Sequence, residues 1–251
     1  MTLTLRSFWL LAVAVFAFAL ASWGQSCSNS ILTGLYGYGG NGVDASGNPI
    51  AFEGVVAADG NGNLAGTQTE SVNGVISLNV STLGKYSIAS NCNGTMTIQP
   101  SGSSAANYNV TVASGGARAF GLESDSGTVV SMYARAVEET GCTSGGTKGT
   151  FGFSGTGLIV GVGFFAQSGQ VTLNGSGKLS GIQSFSVAGK VSSNVKFTGT
   201  YKVSSNCSGS AIVKIKGQSA AHVNFTLVRQ LASIFFIQTD PKTVIVGWDR
   251  E

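Results

Sequence analysis

Residues 84–94 read GKYSIASNCNG and residues 199–209 read GTYKVSSNCSG, 115 positions later in one unbroken frame. A recurrence of this kind at a fixed offset marks an internal duplication, so the chain holds two solutions to one fold. The cysteines obey the same offset: Cys27 and Cys92 return as Cys142 and Cys207, each pair 65 residues apart. Four cysteines permit three pairings. The duplication favours Cys27 with Cys92 and Cys142 with Cys207, one bridge owned by each copy, and the lack of any C-x-x-C spacing in a chain with a single histidine argues against a metal site.

Residues 1–25 carry Arg6, then the apolar run from Phe8 to Leu20, then Ala19-Leu20-Ala21, the order of a secretory leader. The expected units are therefore the leader at 1–25, repeat 1 at 26–141 and repeat 2 at 142–251, in a secreted or periplasmic protein whose cysteines can oxidise. With 43% hydrophobic and 10% charged residues the composition is that of a packed domain. A net charge of +3 leaves no basic footprint for nucleic acid.

Within each copy, apolar and polar residues alternate over short runs divided by turn dipeptides such as Asn73-Gly74 and Ser126-Gly127, and no segment keeps a helical period. This predicts an all-β fold with eight strands per repeat, near 34–43, 50–58, 63–72, 75–90, 94–100, 106–113, 117–124 and 128–136, and the same set 115 residues on. The connections are too short for parallel crossovers. Eight antiparallel strands with one apolar face must close or stack, which predicts two tandem eight-stranded meander barrels, with two β-sandwiches as the alternative.

Positions apolar in both copies should face inward. Tyr36 and Tyr38 match Phe151 and Phe153, Tyr86 matches Tyr201, and Tyr108 and Val110 match Val223 and Phe225. Gln68 and Gln183 share the phase of Leu64, so both amides are expected inside the barrels, each needing a partner or a ligand. On the seventh strand Phe120 and Leu122 match Phe235 and Ile237, which reads as the inward phase; Ile234, Phe236 and the neighbouring Ile245 then form an outward apolar patch, to be covered by repeat 1 or a second chain.

Few residues suggest chemistry. His222 lies on an outward phase and is replaced by Asn107 in the other copy, and Asp125 and Asp240 precede turn residues. The run Asp59-Gly60-Asn61-Gly62-Asn63 with Glu70 imitates a calcium loop, but Leu64 stands where such a loop needs glycine, so a hairpin is the better reading. With no nucleophile, base or metal constellation the chain is expected to be non-enzymatic and free of cofactors.

Gly34-Leu35-Tyr36 and Gly149-Thr150-Phe151 open the two repeats, and Arg135 and Arg250 close them. This arrangement resembles the calycin superfamily, lipocalins included, in which an arginine from the last strand covers an aromatic residue of the first. The S-N-C-x-G segments and the terminal QTDPKTVIVG run are similar to exported bacterial tandem-repeat proteins. The calycin resemblance implies lids of Arg135 over Tyr36 and Arg250 over Phe151, and a small apolar ligand inside a barrel; the alternative is a structural or interaction module with filled barrels.

Overall fold

A computed structural model of the chain describes residues 26–137, 141–228 and 233–248. The expected leader and Arg250 lie outside the described residues. Repeat 1 forms β1 (Thr33–Val43), β2 (Pro49–Asp59), β3 (Asn63–Val72), β4 (Val75–Ile88), β5 (Asn93–Pro100), β6 (Ala106–Ala113), β7 (Arg118–Glu123) and β8 (Val129–Val137). Repeat 2 forms β9 (Lys148–Ile159), β10 (Gly163–Asn174), β11 (Lys178–Val187), β12 (Lys190–Val203), β13 (Ser208–Ile215), β14 (Ala221–Val228), β15 (Ser233–Gln238) and β16 (Thr243–Trp248). Within each repeat every strand pairs antiparallel with the next, and β1 with β8 and β9 with β16 close two separate barrels. Closure removes the free edges that an open eight-stranded meander would expose.

The duplicated stretch that betrays the fold also shuts one end of each barrel. Tyr86 donates its hydroxyl proton to Leu32 O at 2.8 Å, and Tyr201 to Thr147 O at 2.7 Å, so each tyrosine holds the segment preceding its barrel across the opening. The disulfides Cys27–Cys92 and Cys142–Cys207 tie the same segments to the β4–β5 and β12–β13 turns. Both turn cysteines sit at φ 65°, in the left-handed region, where the backbone reverses. Gly84 and Gly199 are fixed by close approach: a Cβ there would stand 2.3 Å from Thr97 O and 2.0 Å from Ile212 O.

The barrels dock side to side. The outer face of β14, β15 and β16 lies against the outer face of β1, β2, β3 and β8. Ala51, Ile237, Val244 and Val246 form an apolar cluster there, and Tyr133 meets Phe235 with ring centroids 5.7 Å apart. Polar groups are paired across the seam: Asn224 Nδ2 donates to Thr69 Oγ1 at 2.9 Å, Ser71 Oγ to Thr243 O at 2.5 Å, and Thr226 Oγ1 to Glu53 Oε1. Gly37 makes room for the contact, since a Cβ there would lie 2.5 Å from Val228 Cγ1.

Two expectations are corrected here. On β7 and β15 the inward phase is Ala119 and Gly121, and Ile234 and Phe236; Phe120, Leu122, Phe235 and Ile237 point outward. Ile245 follows Phe236 to the inner side, because its neighbours Val244 and Val246 face the other barrel. The reason is packing. Met132 of β8 fills the space beside its paired residue Gly121, whose Cβ would meet Met132 Cγ at 2.7 Å; in repeat 2 the bulk is exchanged across the same pair, Phe236 facing Gly247. An interface between the repeats does use the outer face of repeat 2, but through Phe235, Ile237, Val244 and Val246.

Candidate functional site

Matched positions fill the two barrels differently. In barrel 1, Tyr38, Phe52, Tyr86, Met96, Tyr108 and Met132 are buried in one continuous core. A polar chain runs through it: Tyr38 donates to Gln68 Oε1 at 2.8 Å, and Gln68 Nε2 donates to Glu70 Oε2 at 2.9 Å. Burial pushes the Tyr38 phenol well above its ordinary range, with the carboxyls of Glu53 and Glu70 adding to the shift. Tyr108 is raised too, again first by burial and then by the charges of Glu123 and Asp125.

In barrel 2 the corresponding places hold smaller or shorter side chains. Phe52 becomes Gln167, Met96 becomes Ala211, Tyr108 becomes Val223 and Met132 becomes Gly247, each 115 residues on. Thr82 becomes Phe197 and Gly121 becomes Phe236, which returns some of the lost volume. What is left is a cavity of about 440 Å³. Its walls include Phe153, Phe165, Phe185, Phe197, Phe225 and Phe236, with Tyr201 and Leu173 towards the end shut by the 142–147 segment. Phe165 and Phe185 stack with centroids 6.3 Å apart. Residues 218–220 of the β13–β14 connection and Ala221 at the start of β14, with Gln238 and Asp240, line the opposite end.

The polar groups of this cavity are glutamine amides. At the places of Tyr38 and Glu70 stand Phe153 and Phe185, so Gln183 lacks both partners that hold Gln68. Among the described residues neither Gln183 nor Gln167 has a side-chain hydrogen bond, and both line the cavity half-buried. Gln238 Nε2 donates to Asp240 Oδ2 at 2.9 Å. No lysine, arginine or histidine is found among the described lining residues, and Asp240 is their one carboxylate.

Asp240 is also held by His222, whose backbone N–H donates to Oδ2 at 2.9 Å and whose Nδ1 lies 2.7 Å from Oδ1. In barrel 1 Asn107 makes the same two contacts to Asp125, at 2.8 Å each. The pair is thus a clasp between the start of one strand and the turn beyond the next, and burial has not drawn it inside. Hydrogen bonds from Asn107 hold the Asp125 carboxyl below its ordinary range. The turn at Asp59 behaves likewise: Asp59 Oδ1 accepts the N–H of Asn61 and Asn63, and Asn174 Oδ1 accepts those of Ser176 and Lys178 in repeat 2. Its carboxylate is spent on hairpin geometry.

The expected lid is not formed at barrel 1. Tyr36 points inward and donates to Gly116 O at 2.9 Å, whereas Arg135 leaves the outer side of β8 and donates from Nη1 to Ser233 Oγ at 2.7 Å. Tyr36 pairs with Ala136 and Arg135 with Gly37, so strand alternation puts the wall of the barrel between them. The ring nearest the guanidinium is that of Tyr133, 6.0 Å from its centroid. Phe151 is buried inside barrel 2.

Of the interior residues expected from the sequence, Tyr38, Tyr86, Tyr108 and Gln68 lie in the barrel 1 core, and Phe153, Tyr201, Gln183 and Phe225 line the cavity. Gln167, Phe165, Phe185 and Gln238 were missed. Their signal was the contrast with Phe52, Ile50, Glu70 and Glu123 at the same offset, which becomes legible once the inward phase is known.

Fold and site together define a tandem pair of closed eight-stranded antiparallel barrels, one packed and one hollow. Searches against protein-family models and against curated proteins return no match to this chain.

Proposed function

We propose that the protein is a non-enzymatic binding protein that holds one small, uncharged, largely apolar molecule inside barrel 2, while barrel 1 serves as its filled structural partner. The observation that carries this reading is the cavity of about 440 Å³, within the ordinary range for small-molecule sites, opened by substitutions at positions that are filled in barrel 1. An aromatic wall with two unpartnered amides suits a ring or isoprenoid system bearing one hydroxyl or carbonyl. A carboxylate fits poorly, since burying an anion without a cation or donor cluster is costly. The calycin likeness supports the same reading through strand number and antiparallel order, though without the arginine lid at barrel 1.

We further infer that the chain works outside the cytoplasm. The leader-like residues 1–25 support this, and two disulfides are compatible with a secreted or periplasmic place. The test is native mass spectrometry of the purified protein after incubation with a neutral lipid extract. One adduct per chain is expected. No adduct, or equal retention of neutral lipids by a fragment carrying barrel 1 and by the intact chain, would overturn the assignment to barrel 2.

A further inference from the structure

The docking of barrel 2 on barrel 1 uses two different faces, and each barrel carries both. Barrel 2 gives the face of β14–β16 and barrel 1 the face of β1–β3 with the Tyr133–Arg135 end of β8. That leaves β6, β7 and the Val129 end of β8 on barrel 1, and the β9–β11 face of barrel 2, uncovered. On the first, Phe120, Leu122 and Val129 are 48%, 59% and 71% exposed; their counterparts Phe235, Ile237 and Val244 are buried in the seam. On the second, Phe164 is 81% exposed, and Ala166, the counterpart of the fully buried Ala51, faces solvent.

The residues that cross the seam are matched on the free faces. Asn224 and Thr69 correspond to Asn109 and Ser184, Thr226 and Glu53 to Thr111 and Ser168, and Thr243 and Ser71 to Thr128 and Ser186. These three polar pairs of the seam have counterparts able to form a hydrogen bond; the pair of Arg135 and Ser233 does not, its places being held by Arg250 and Arg118. Glycine gives a second, independent sign. Gly37 is required because Val228 packs on it, whereas Gly152, at the same place in barrel 2, would have nothing within 4 Å of a Cβ. A glycine inside a strand often marks a bulge, a bend or a close approach of another backbone, and Gly152 leaves room for such an approach on the β9–β11 face.

We propose that the β6–β8 face of barrel 1 docks on the β9–β11 face of barrel 2 of a second copy, repeating between molecules the contact that joins the two barrels. The interface is heterologous, so each docked copy leaves one free face of each kind and association continues head to tail until it closes or the supply ends. Ser168 stands where the seam has Glu53, so no carboxyl enters this contact at that place.

The test is sedimentation velocity of the full mature chain over rising concentration, with Phe120→Asp and Ala166→Asp as variants that block one face each; both positions are at the surface, and matching circular dichroism melts check that each variant folds. Wild type should give species larger than a dimer that grow with concentration, and each variant alone should stay monomeric. Mixed in equal amounts, the variants should form a 1:1 dimer and stop there, because one intact face of each kind remains. A wild type monomeric at every concentration overturns the proposal. So does an Ala166→Asp variant that associates as wild type does, since association would then run through barrel 1 alone. Neither outcome touches ligand binding in barrel 2, which native mass reads separately.

Discussion

The hydroxyl of Tyr38 donates to Gln68 Oε1 at 2.8 Å inside barrel 1, and 115 residues on the same two places hold Phe153 and Gln183, whose amide has no side-chain hydrogen bond among the described residues. One pair of positions thus separates a barrel stabilised by its own polar chain from one whose matching amide has no such chain. A buried donor or acceptor left unpaired costs roughly 1–3 kcal/mol. Gln68→Leu should therefore destabilise barrel 1 by about that amount, since it removes the partner of the Tyr38 hydroxyl and of Glu70 Oε2, leaving Glu70 only the contact of Ser103 to Oε1. Gln183→Leu should leave stability nearly unchanged and alter ligand affinity instead. Paired thermal melts of the two variants check this.

The seam should fail at Gly37. A side chain there must displace Val228 Cγ1 and Thr226 Cγ2, at 2.5 and 2.8 Å from the Cβ position. Gly37→Val is expected to undock the barrels while leaving both closed, so calorimetry should resolve two transitions for the variant and one for wild type. Phe236→Ser acts elsewhere, inside barrel 2, and should change the cavity without separating the barrels.

Glu53 makes that docking depend on pH. Its carboxyl is buried in the seam against Thr226, and burial raises its pKa from 4.5 to about 8. Folded-state protonation is thus favoured: the stabilisation is complete below about 4.5, where the unfolded chain is protonated too, and is lost as pH rises through about 8. Each pKa unit corresponds to about 1.4 kcal/mol, so the loss amounts to a few kcal/mol at most. Wild type should melt at lower temperature at pH 9 than at pH 5. Glu53→Gln, which keeps the shape and stays neutral, should flatten that dependence; an unchanged slope would place the titrating group elsewhere.

Much of the architecture was legible because duplication supplies its own control. Strand ends fell within about two residues of expectation, apart from the end of the last strand, which was expected at 251, outside the described residues; turn dipeptides and alternation recur at one offset, and the equal cysteine spacing singled out the pairing that forms. The phase of β15 was not legible. Phe235 and Ile237 are buried against barrel 1 while Ile234 and Phe236 are buried inside barrel 2, so both faces are apolar and a period of two carries no signal. Thr226 is the converse case, a polar residue that faces outward yet is fully buried, because it lies on Glu53 of the other barrel. The lid on Arg135 rested on a family pattern, and strand alternation sends that side chain to the seam. The hollow in barrel 2 arises from several exchanges of volume, each ordinary alone.

The central claim, that barrel 2 binds because it lacks what fills barrel 1, is tested most directly by restoring the filling. Ala211 lines the cavity where barrel 1 has Met96, so Ala211→Met puts back a buried thioether chain at a place the fold already accommodates. Titration of wild type and variant with the neutral fluorophore N-phenylnaphthylamine is the measurement. Wild type should bind one equivalent with enhanced emission, and Ala211→Met should lose at least about tenfold in affinity, about 1.4 kcal/mol, with its melting temperature kept or raised. Equal binding by both proteins would put the probe outside barrel 2 and contradict the account.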